Sequence, residues 1–174
     1  MTKKTKDKKI SKKEKVKNKV KERTIIIGLG CLIIAIVAVL LIFGTAASNK
    51  VNRTLQKQTP SEIKYDNKKI NVYLFWGDGC PHCEQLIKYL DSLPEKYDEY
   101  FDLYTFEVWY NQKNNDLMTA LVEKLGKEVT GIPCLIIGDQ VFTGFDETMK
   151  EPIKKAIKDE YLKVDHYDVY REYK

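Results

Sequence analysis

The chain has 174 residues, of which 43% are hydrophobic and 11% aromatic, enough for one packed domain with attachments. Its formal net charge of +5 comes from residues 1–24, which hold 12 Lys and Arg against 3 Asp and Glu. The remaining residues carry 18 basic and 22 acidic side chains. Because this body is net negative, it lacks the cationic surface that a phosphate backbone requires, and the composition excludes a nucleic-acid-binding domain.

Residues 25–44 form an uninterrupted run of apolar or small residues without a charge. As a helix this run spans about 30 Å, the thickness of a hydrocarbon core. We therefore predict a basic cytoplasmic tail over residues 1–23 and a single transmembrane helix over residues 24–47. The basic tail orients the helix so that the rest of the chain lies outside the cytoplasm. A signal peptide cleaved near Ala47 is the alternative, although apolar regions of such signals are only about 7–15 residues long.

Residues 48–60 are polar and contain Thr59-Pro60, which predicts a linker that lifts the domain off the bilayer. Residues 61–163 are predicted to form the folded domain, and residues 164–174 a charged tail. Since an extracytoplasmic compartment permits disulfides, the three cysteines beyond the anchor are interpreted in an oxidising setting.

The domain is predicted to open with a strand, a turn and a helix. Residues 70–76 are an aromatic and β-branched run that ends at Gly77-Asp78-Gly79, as is typical of a buried strand. The apolar positions that follow the turn recur at helical spacing until Pro94: Cys83, Leu86, Ile87, Leu90 and Leu93.

A second strand and a second helix are predicted next. Residues 101–108 have the composition of a strand. The helix that follows is expected to stop at Gly126 and to be capped by Asp116 or by the Asn114-Asn115 pair. Its apolar stripe consists of Leu117, Met118, Leu121, Val122 and Leu125.

The last part of the predicted domain consists of a hairpin and a helix. Residues 134–137 and 140–143 are separated by the turn Gly138-Asp139. The final helix tolerates Pro152 in its first turn, and its apolar face consists of Ile153, Ala156, Ile157 and Tyr161. The order β-α-β-α-β-β-α predicts an α/β fold, in which a mixed sheet lies between two helix layers, preceded by the single N-terminal transmembrane helix.

The strongest chemical motif is Cys80-Pro81-His82-Cys83. A thiolate is the species that attacks a disulfide, and the start of a helix stabilises an anion through its unpaired N–H groups and its dipole. Pro81 fits the first helical turn, and a protonated His82 further favours the thiolate of Cys80. The two-residue spacing lets both sulfurs meet across one turn, so that Cys83 can resolve a mixed disulfide.

Two other interpretations of this motif stay open. A static disulfide has the same spacing, although the first sulfur at a helix start is usually accessible. The second interpretation is that the two cysteines form half of a zinc site. Zinc needs two further ligands, however, and beyond His82 the domain offers only Cys134 and His166. We therefore predict no metal.

A second motif is Thr130-Gly131-Ile132-Pro133, immediately before the hairpin. A proline that opens an interior strand loses a ladder donor, and it often marks a special feature such as a cis bond. Together with Phe75-Trp76 before the cysteine motif, this Gly-Ile-Pro resembles the thioredoxin superfamily over residues 61–163.

The resemblance implies roles for particular residues. It implies that Pro133 is cis and faces the catalytic disulfide, and that the backbone of Ile132 pairs with the substrate chain, so Pro133, Ile132 and Trp76 are the expected substrate-binding residues. The Pro81-His82 dipeptide resembles the oxidising DsbA branch, whereas the spacing between Cys83 and Pro133 resembles thioredoxin itself.

The chain departs from this family pattern at Leu74, where thioredoxins usually carry a buried carboxylate that helps to move the proton of the second cysteine. Asp78 or Glu84 could substitute, but each is more typical of a solvated surface acid. Cys134, directly after the expected cis proline, is either a small buried apolar residue or a regulatory or resolving thiol.

Two further side chains are expected to carry no chemistry: Trp109 is expected to contribute packing, and His166 to be exposed. Trp76, expected beside the substrate, is likewise expected to pack rather than to form a ligand cage.

The sequence thus predicts a membrane-tethered, extracytoplasmic thiol-disulfide oxidoreductase that needs no dissociable cofactor. Its expected partners are protein thiols and disulfides outside the cytoplasm and a membrane redox protein that recycles the Cys80–Cys83 pair. Whether it oxidises or reduces its substrates is left open. The alternative from another class is an accessory protein that binds a secreted peptide and keeps the disulfide as a structural element, as thioredoxin-like bacteriocin accessory proteins suggest.

Overall fold

A computed structural model describes residues 50–174. The predicted basic tail, the predicted transmembrane helix and the first two residues of the predicted linker lie outside the described residues. Within residues 50–174 no helix is long and apolar enough to cross a membrane.

A four-stranded mixed sheet forms the centre of the described domain, with the strand order β2-β1-β3-β4. The first two strands run parallel, and the other two neighbouring pairs are antiparallel. The strands are β1 (Ile70–Trp76), β2 (Phe101–Glu107), β3 (Cys134–Ile137) and β4 (Gln140–Thr143). All four were predicted, and the hairpin turn lies at Gly138-Asp139, where Gly138 has a φ of 56° that favours glycine.

The helices are α1 (Pro81–Asp91), α2 (Gln112–Lys124), α3 (Lys150–Tyr161) and α4 (Val169–Tyr173). In the described part of the chain, three short 3-10 helices occur at Pro60–Glu62, Glu95–Glu99 and Glu147–Met149. The predicted order β-α-β-α-β-β-α is confirmed, and α4 follows it as an additional helix.

Strand β1 is buried along its whole length because helices cover both faces of the sheet. Val72 and Leu74 pack in one cluster with apolar residues of α1 and α3. Tyr73 and Phe75 point to the opposite face and pack with α2 and α4. The predicted mixed sheet between two helix layers is therefore present, and this architecture is consistent with a thioredoxin-like fold.

Helix α2 begins earlier than predicted. The expected caps, Asp116 and the Asn114-Asn115 pair, lie inside the helix, and the observed N-cap is Asn111, whose side chain accepts the N–H of Asn114 at 3.3 Å. Asn114 is buried, and its amide donates to the carbonyl of Glu107 at 2.9 Å. The buried face of α2 therefore includes a polar residue, which is hydrogen-bonded to the end of β2. The pattern of apolar residues did not indicate this position.

The predicted linker is packed against the domain from residue 51 onward. The Gln56 N–H donates to the Thr105 hydroxyl at 2.7 Å, and the Gln58 N–H donates to the Thr105 carbonyl at 3.2 Å. Because β2 is an edge strand, its outer polar groups need partners, and this segment supplies them. The prediction of a free spacer is therefore wrong for these residues.

The predicted charged tail also folds back. Asp168 caps α4, and its carboxylate additionally accepts the Tyr73 hydroxyl and the Asn71 amide, each at 2.8 Å. Val169 and Tyr170 are buried beside α2. The prediction of a tail over residues 164–174 is thus corrected, because two apolar side chains among the charges complete the core on that face of the sheet.

Candidate active site

The cysteine motif lies where β1 turns into α1. The chain leaves Trp76, turns through Gly77-Asp78-Gly79, and positions Cys80 as the N-cap of α1, with the Cys80 N–H donating to the Gly77 carbonyl at 3.0 Å. Gly79 has a φ of 82°, which favours glycine in this turn. Cys80 and Cys83 are joined by a disulfide, with their Cα atoms 5.3 Å apart.

The two sulfurs of this disulfide are not equivalent. The Cys80 Sγ accepts the backbone N–H of Cys83 at 3.2 Å, at the positive end of the helix dipole. Cys80 is 6% exposed and Cys83 is fully buried. Cys80 is therefore the more exposed sulfur of the two. When the bond is reduced, this arrangement stabilises a thiolate on Cys80, which makes Cys80 a good leaving group from a mixed disulfide.

Pro81 and His82 lie on the exposed side of the motif. Pro81 occupies the first turn of α1, as predicted. Asp146, a residue that the sequence did not single out, interacts electrostatically with His82. Hydrogen bonds from the hydroxyl and N–H of Thr148 hold the pKa of Asp146 below its usual range, and His82 contributes to the same direction.

A small apolar cluster surrounds the disulfide. Trp76 is 5% exposed and packs with both cysteines, and Leu55 and Ile132 pack partly buried against them. The Trp76 indole N–H donates to the Gln56 carbonyl at 3.3 Å. The structure therefore brings together Trp76, Ile132 and the cysteines, which were predicted, with Leu55, which lies in the supposed linker.

The Ile132–Pro133 peptide bond is cis, as the resemblance implied. Pro133 is buried, and its carbonyl accepts the Gly144 N–H at 2.8 Å. Phe75 pairs with Cys134 in the sheet, and continuing this antiparallel register by one residue sets Pro133 beside Trp76. The substrate-binding roles of Pro133 and Ile132 stay predictions.

None of the three positions considered for a relay carboxylate holds a buried acid. Leu74 is fully buried in the apolar core. Asp78 is exposed and paired with Lys57 at 2.9 Å, and Glu84 is exposed on the outer face of α1.

A buried carboxylate does lie in this part of the fold, at a position that was predicted only as part of a strand. Glu107, the last residue of β2, pairs with Trp76 across the parallel strands and is 3% exposed. Its oxygens accept the N–H groups of Trp109 at 2.8 Å and of Tyr110 at 3.0 Å. The available signal was an acid between two apolar residues, Phe106 and Val108, at the end of the strand, because an acid buried there requires a partner.

Cys134 points away from the disulfide. It is 1% exposed and packs with Phe75 and α2, whereas the disulfide packs with Trp76 on the face of the sheet that α1 covers. Burial raises the pKa of the Cys134 thiol to about 12. At neutral pH it is therefore a protonated, inaccessible thiol, as a small apolar core residue would be.

We expect Cys134→Ala to leave the exchange rate and mixed-disulfide trapping unchanged and to lower the free energy of unfolding by about 1 kcal/mol, through loss of one buried sulfur. Iodoacetamide at pH 8 should label Cys134 only after denaturation, because ionisation begins well above that pH. Loss of exchange in a folded Cys134→Ala protein would instead assign this thiol a regulatory or resolving role.

Within residues 50–174 no three His, Cys, Asp or Glu side chains are grouped so that they could hold a metal ion. His166, considered as a zinc ligand and otherwise expected to be exposed, is half-buried. Its Nε2 lies 3.1 Å from the Tyr161 carbonyl, and its ring stacks on that tyrosine.

No protein-family model matches the chain, and no curated protein matches it. Among solved structures, the crystal structure of a glutaredoxin from Archaeoglobus fulgidus is similar, with 17% sequence identity and a TM-score of 0.36. The match covers 51% of this chain and 87% of that chain. This likeness adds nothing to the topology described above.

Proposed function

We propose that the protein is a membrane-tethered thiol-disulfide oxidoreductase that exchanges disulfides with protein substrates outside the cytoplasm. The observation that carries the proposal is the Cys80–Cys83 disulfide at the start of α1, with Cys80 6% exposed at the helix N-terminus and Cys83 fully buried. A helix N-terminus that favours the Cys80 thiolate is the arrangement that reversible exchange requires.

The exchange proceeds in two balanced steps. A substrate thiolate attacks the Cys80 sulfur, forming a mixed disulfide while Cys83 leaves as a thiolate and is then protonated. A second substrate thiolate attacks the substrate sulfur of that bond, and Cys80 leaves as the thiolate that the Cys83 N–H and the helix dipole stabilise. The substrate gains a disulfide and Cys80–Cys83 becomes a dithiol, whereas the reverse sequence reduces a substrate disulfide.

The membrane part of the proposal is supported by the apolar run and by its basic leader of 12 Lys and Arg. An enzyme tethered there needs a membrane redox partner to restore its active-site pair after each turnover. It needs no dissociable cofactor, because the two cysteines carry the electrons.

The test is a redox titration of the full-length chain in lipid nanodiscs, equilibrated in glutathione buffers and followed by alkylation of Cys80. We expect one two-electron transition. A midpoint near about −120 mV, as in DsbA, identifies a disulfide donor, and one near about −270 mV, as in thioredoxin, identifies a reductase. If Cys80 is alkylated only after denaturation, the disulfide is structural and the proposal is wrong.

A further inference from the structure

Two large aromatic side chains lie largely exposed beside the turn that carries Cys80. Trp109 is 54% exposed and Tyr110 is 80% exposed, although the preceding Val108 is 4% exposed. An exposed tryptophan leaves a large apolar area in water, and adjacent exposed aromatics are typical of recognition surfaces.

The Trp109 ring lies against the turn that carries Cys80. A Cβ atom added to Gly77 would overlap the Trp109 indole, so the ring rests directly on the Gly77 backbone. The carbonyl of Gly77 accepts the Cys80 N–H at 3.0 Å, and the Val108 N–H donates to the Trp76 carbonyl at 2.9 Å. Backbone hydrogen bonds therefore tie the aromatic pair and the reactive cysteine to the same end of β1.

The aromatic pair is held in place before any substrate arrives. The buried Glu107 carboxylate accepts the N–H groups of both Trp109 and Tyr110, which fixes the backbone of the loop. Burying a carboxylate is unfavourable unless it is well bonded, so this acid serves the geometry of the loop. A preorganised surface binds with a smaller loss of conformational entropy than a loose one.

Charged side chains border the surface. Lys57 and Asp78 form an exposed ion pair at 2.9 Å, and Asp78 directly follows the Gly77 on which the indole rests. An apolar centre with a polar rim is the usual composition of a protein–protein interface.

We propose that Trp109 and Tyr110 form a docking surface for an unfolded polypeptide substrate that carries a large apolar side chain close to the cysteine exchanged at Cys80. This inference rests on the proposed function and adds the class of substrate to it. The occupant is a polypeptide because a substrate thiol bonded to Cys80 lies beside this surface, and a small thiol such as glutathione has no large apolar side chain to place there.

The test compares two cysteine peptides that differ at one position near the cysteine, phenylalanine in one and alanine in the other. Full-length chain in lipid nanodiscs should exchange with the phenylalanine peptide about tenfold more efficiently, mainly through a lower KM. Trp109→Ala should abolish this preference, so that the variant exchanges with the two peptides equally well. Its rate of exchange with dithiothreitol should stay unchanged. Tyr65→Ala is the matched control, because Tyr65 is 46% exposed and precedes the opposite end of β1, and it should retain the preference.

The outcomes separate this inference from the proposed function. If the unmodified protein exchanges with neither peptide nor dithiothreitol, the proposed function is wrong. If exchange occurs with both peptides equally, the docking surface is wrong while the oxidoreductase stands. A Trp109→Ala variant that also loses exchange with dithiothreitol would show that the indole only supports the turn. A dimer that Trp109→Ala dissociates would show that the surface joins copies of this chain, and either result overturns the inference.

Discussion

We expect Cys80→Ser to reduce thiol–disulfide exchange by at least about a thousandfold, because it removes the sulfur that the substrate attacks and neither other cysteine of residues 50–174 can replace it. Cys83 is fully buried beneath it, and Cys134 faces the opposite side of the sheet. The measurement is the rate at which the full-length chain oxidises or reduces a fluorescent dithiol peptide.

Cys83→Ser is the matched control for Cys80→Ser. Both variants lack the same disulfide, so both should unfold at similar denaturant concentrations, and a difference in exchange between them then reports chemistry rather than folding. Cys83→Ser keeps the attacking thiolate but cannot resolve the intermediate, so it should accumulate mixed disulfides that Cys80→Ser does not form. A Cys80→Ser protein that retains its biological activity would favour the accessory binding protein with a structural disulfide.

The second large effect concerns stability. Arg53→Met should lower the free energy of unfolding by about 3 kcal/mol, because it breaks a buried ion pair and leaves the Asp98 carboxylate without its counterion. The Arg53 Nη1 lies 2.7 Å from the Asp98 Oδ1, and the side chains are 2% and 11% exposed. The guanidinium also lies 4.2 Å from the centroid of the Phe101 ring. Urea unfolding followed by circular dichroism measures the change.

Lys57→Met is the control for this prediction. It removes an ion pair from the same segment, but the Lys57–Asp78 pair is exposed at 63% and 54%, where water and salt screen it. We expect its unfolding midpoint to stay at the value of the unmodified protein. An Arg53→Met protein with an equally unchanged midpoint would mean that residues 51–59 contribute nothing to the folded domain.

The elements that the sequence predicted correctly are those with local causes. The aromatic and β-branched run of β1 ends at a turn with two glycines, α1 starts at Cys80-Pro81, and the hairpin turns at Gly138. In each case the periodicity and the turn residues lie within a few positions of the boundary they determine. The predicted start of α2 was too late because the prediction relied on the spacing of apolar residues. Asn114 is polar and lies in the first turns of the helix, where its amide donates a hydrogen bond to the end of β2.

In the candidate site too, the features with local causes were predicted and those that depend on distant residues were not. The pairing of Cys80 with Cys83 was predicted from their spacing at the start of a helix. The cis bond before Pro133 was suggested by a proline that opens an interior strand and was implied by the resemblance to thioredoxins. Glu107 was missed because its partners are N–H groups, which every residue except proline possesses and no sequence pattern marks.

By itself, the sequence determined the Cys-Pro-His-Cys motif, the order of the main elements and the contrast in composition between a basic and apolar N-terminal part and an acidic remainder, since these depend on neighbouring residues. Only the tertiary structure decided which groups surround the disulfide. The segment around Gln56 covers the edge of β2, α4 covers the sheet, and the two faces of the sheet separate Cys134 from Cys80. Each of these contacts joins residues far apart in the chain, and its stability comes from satisfying polar groups or burying apolar surface that exist only after the sheet has formed.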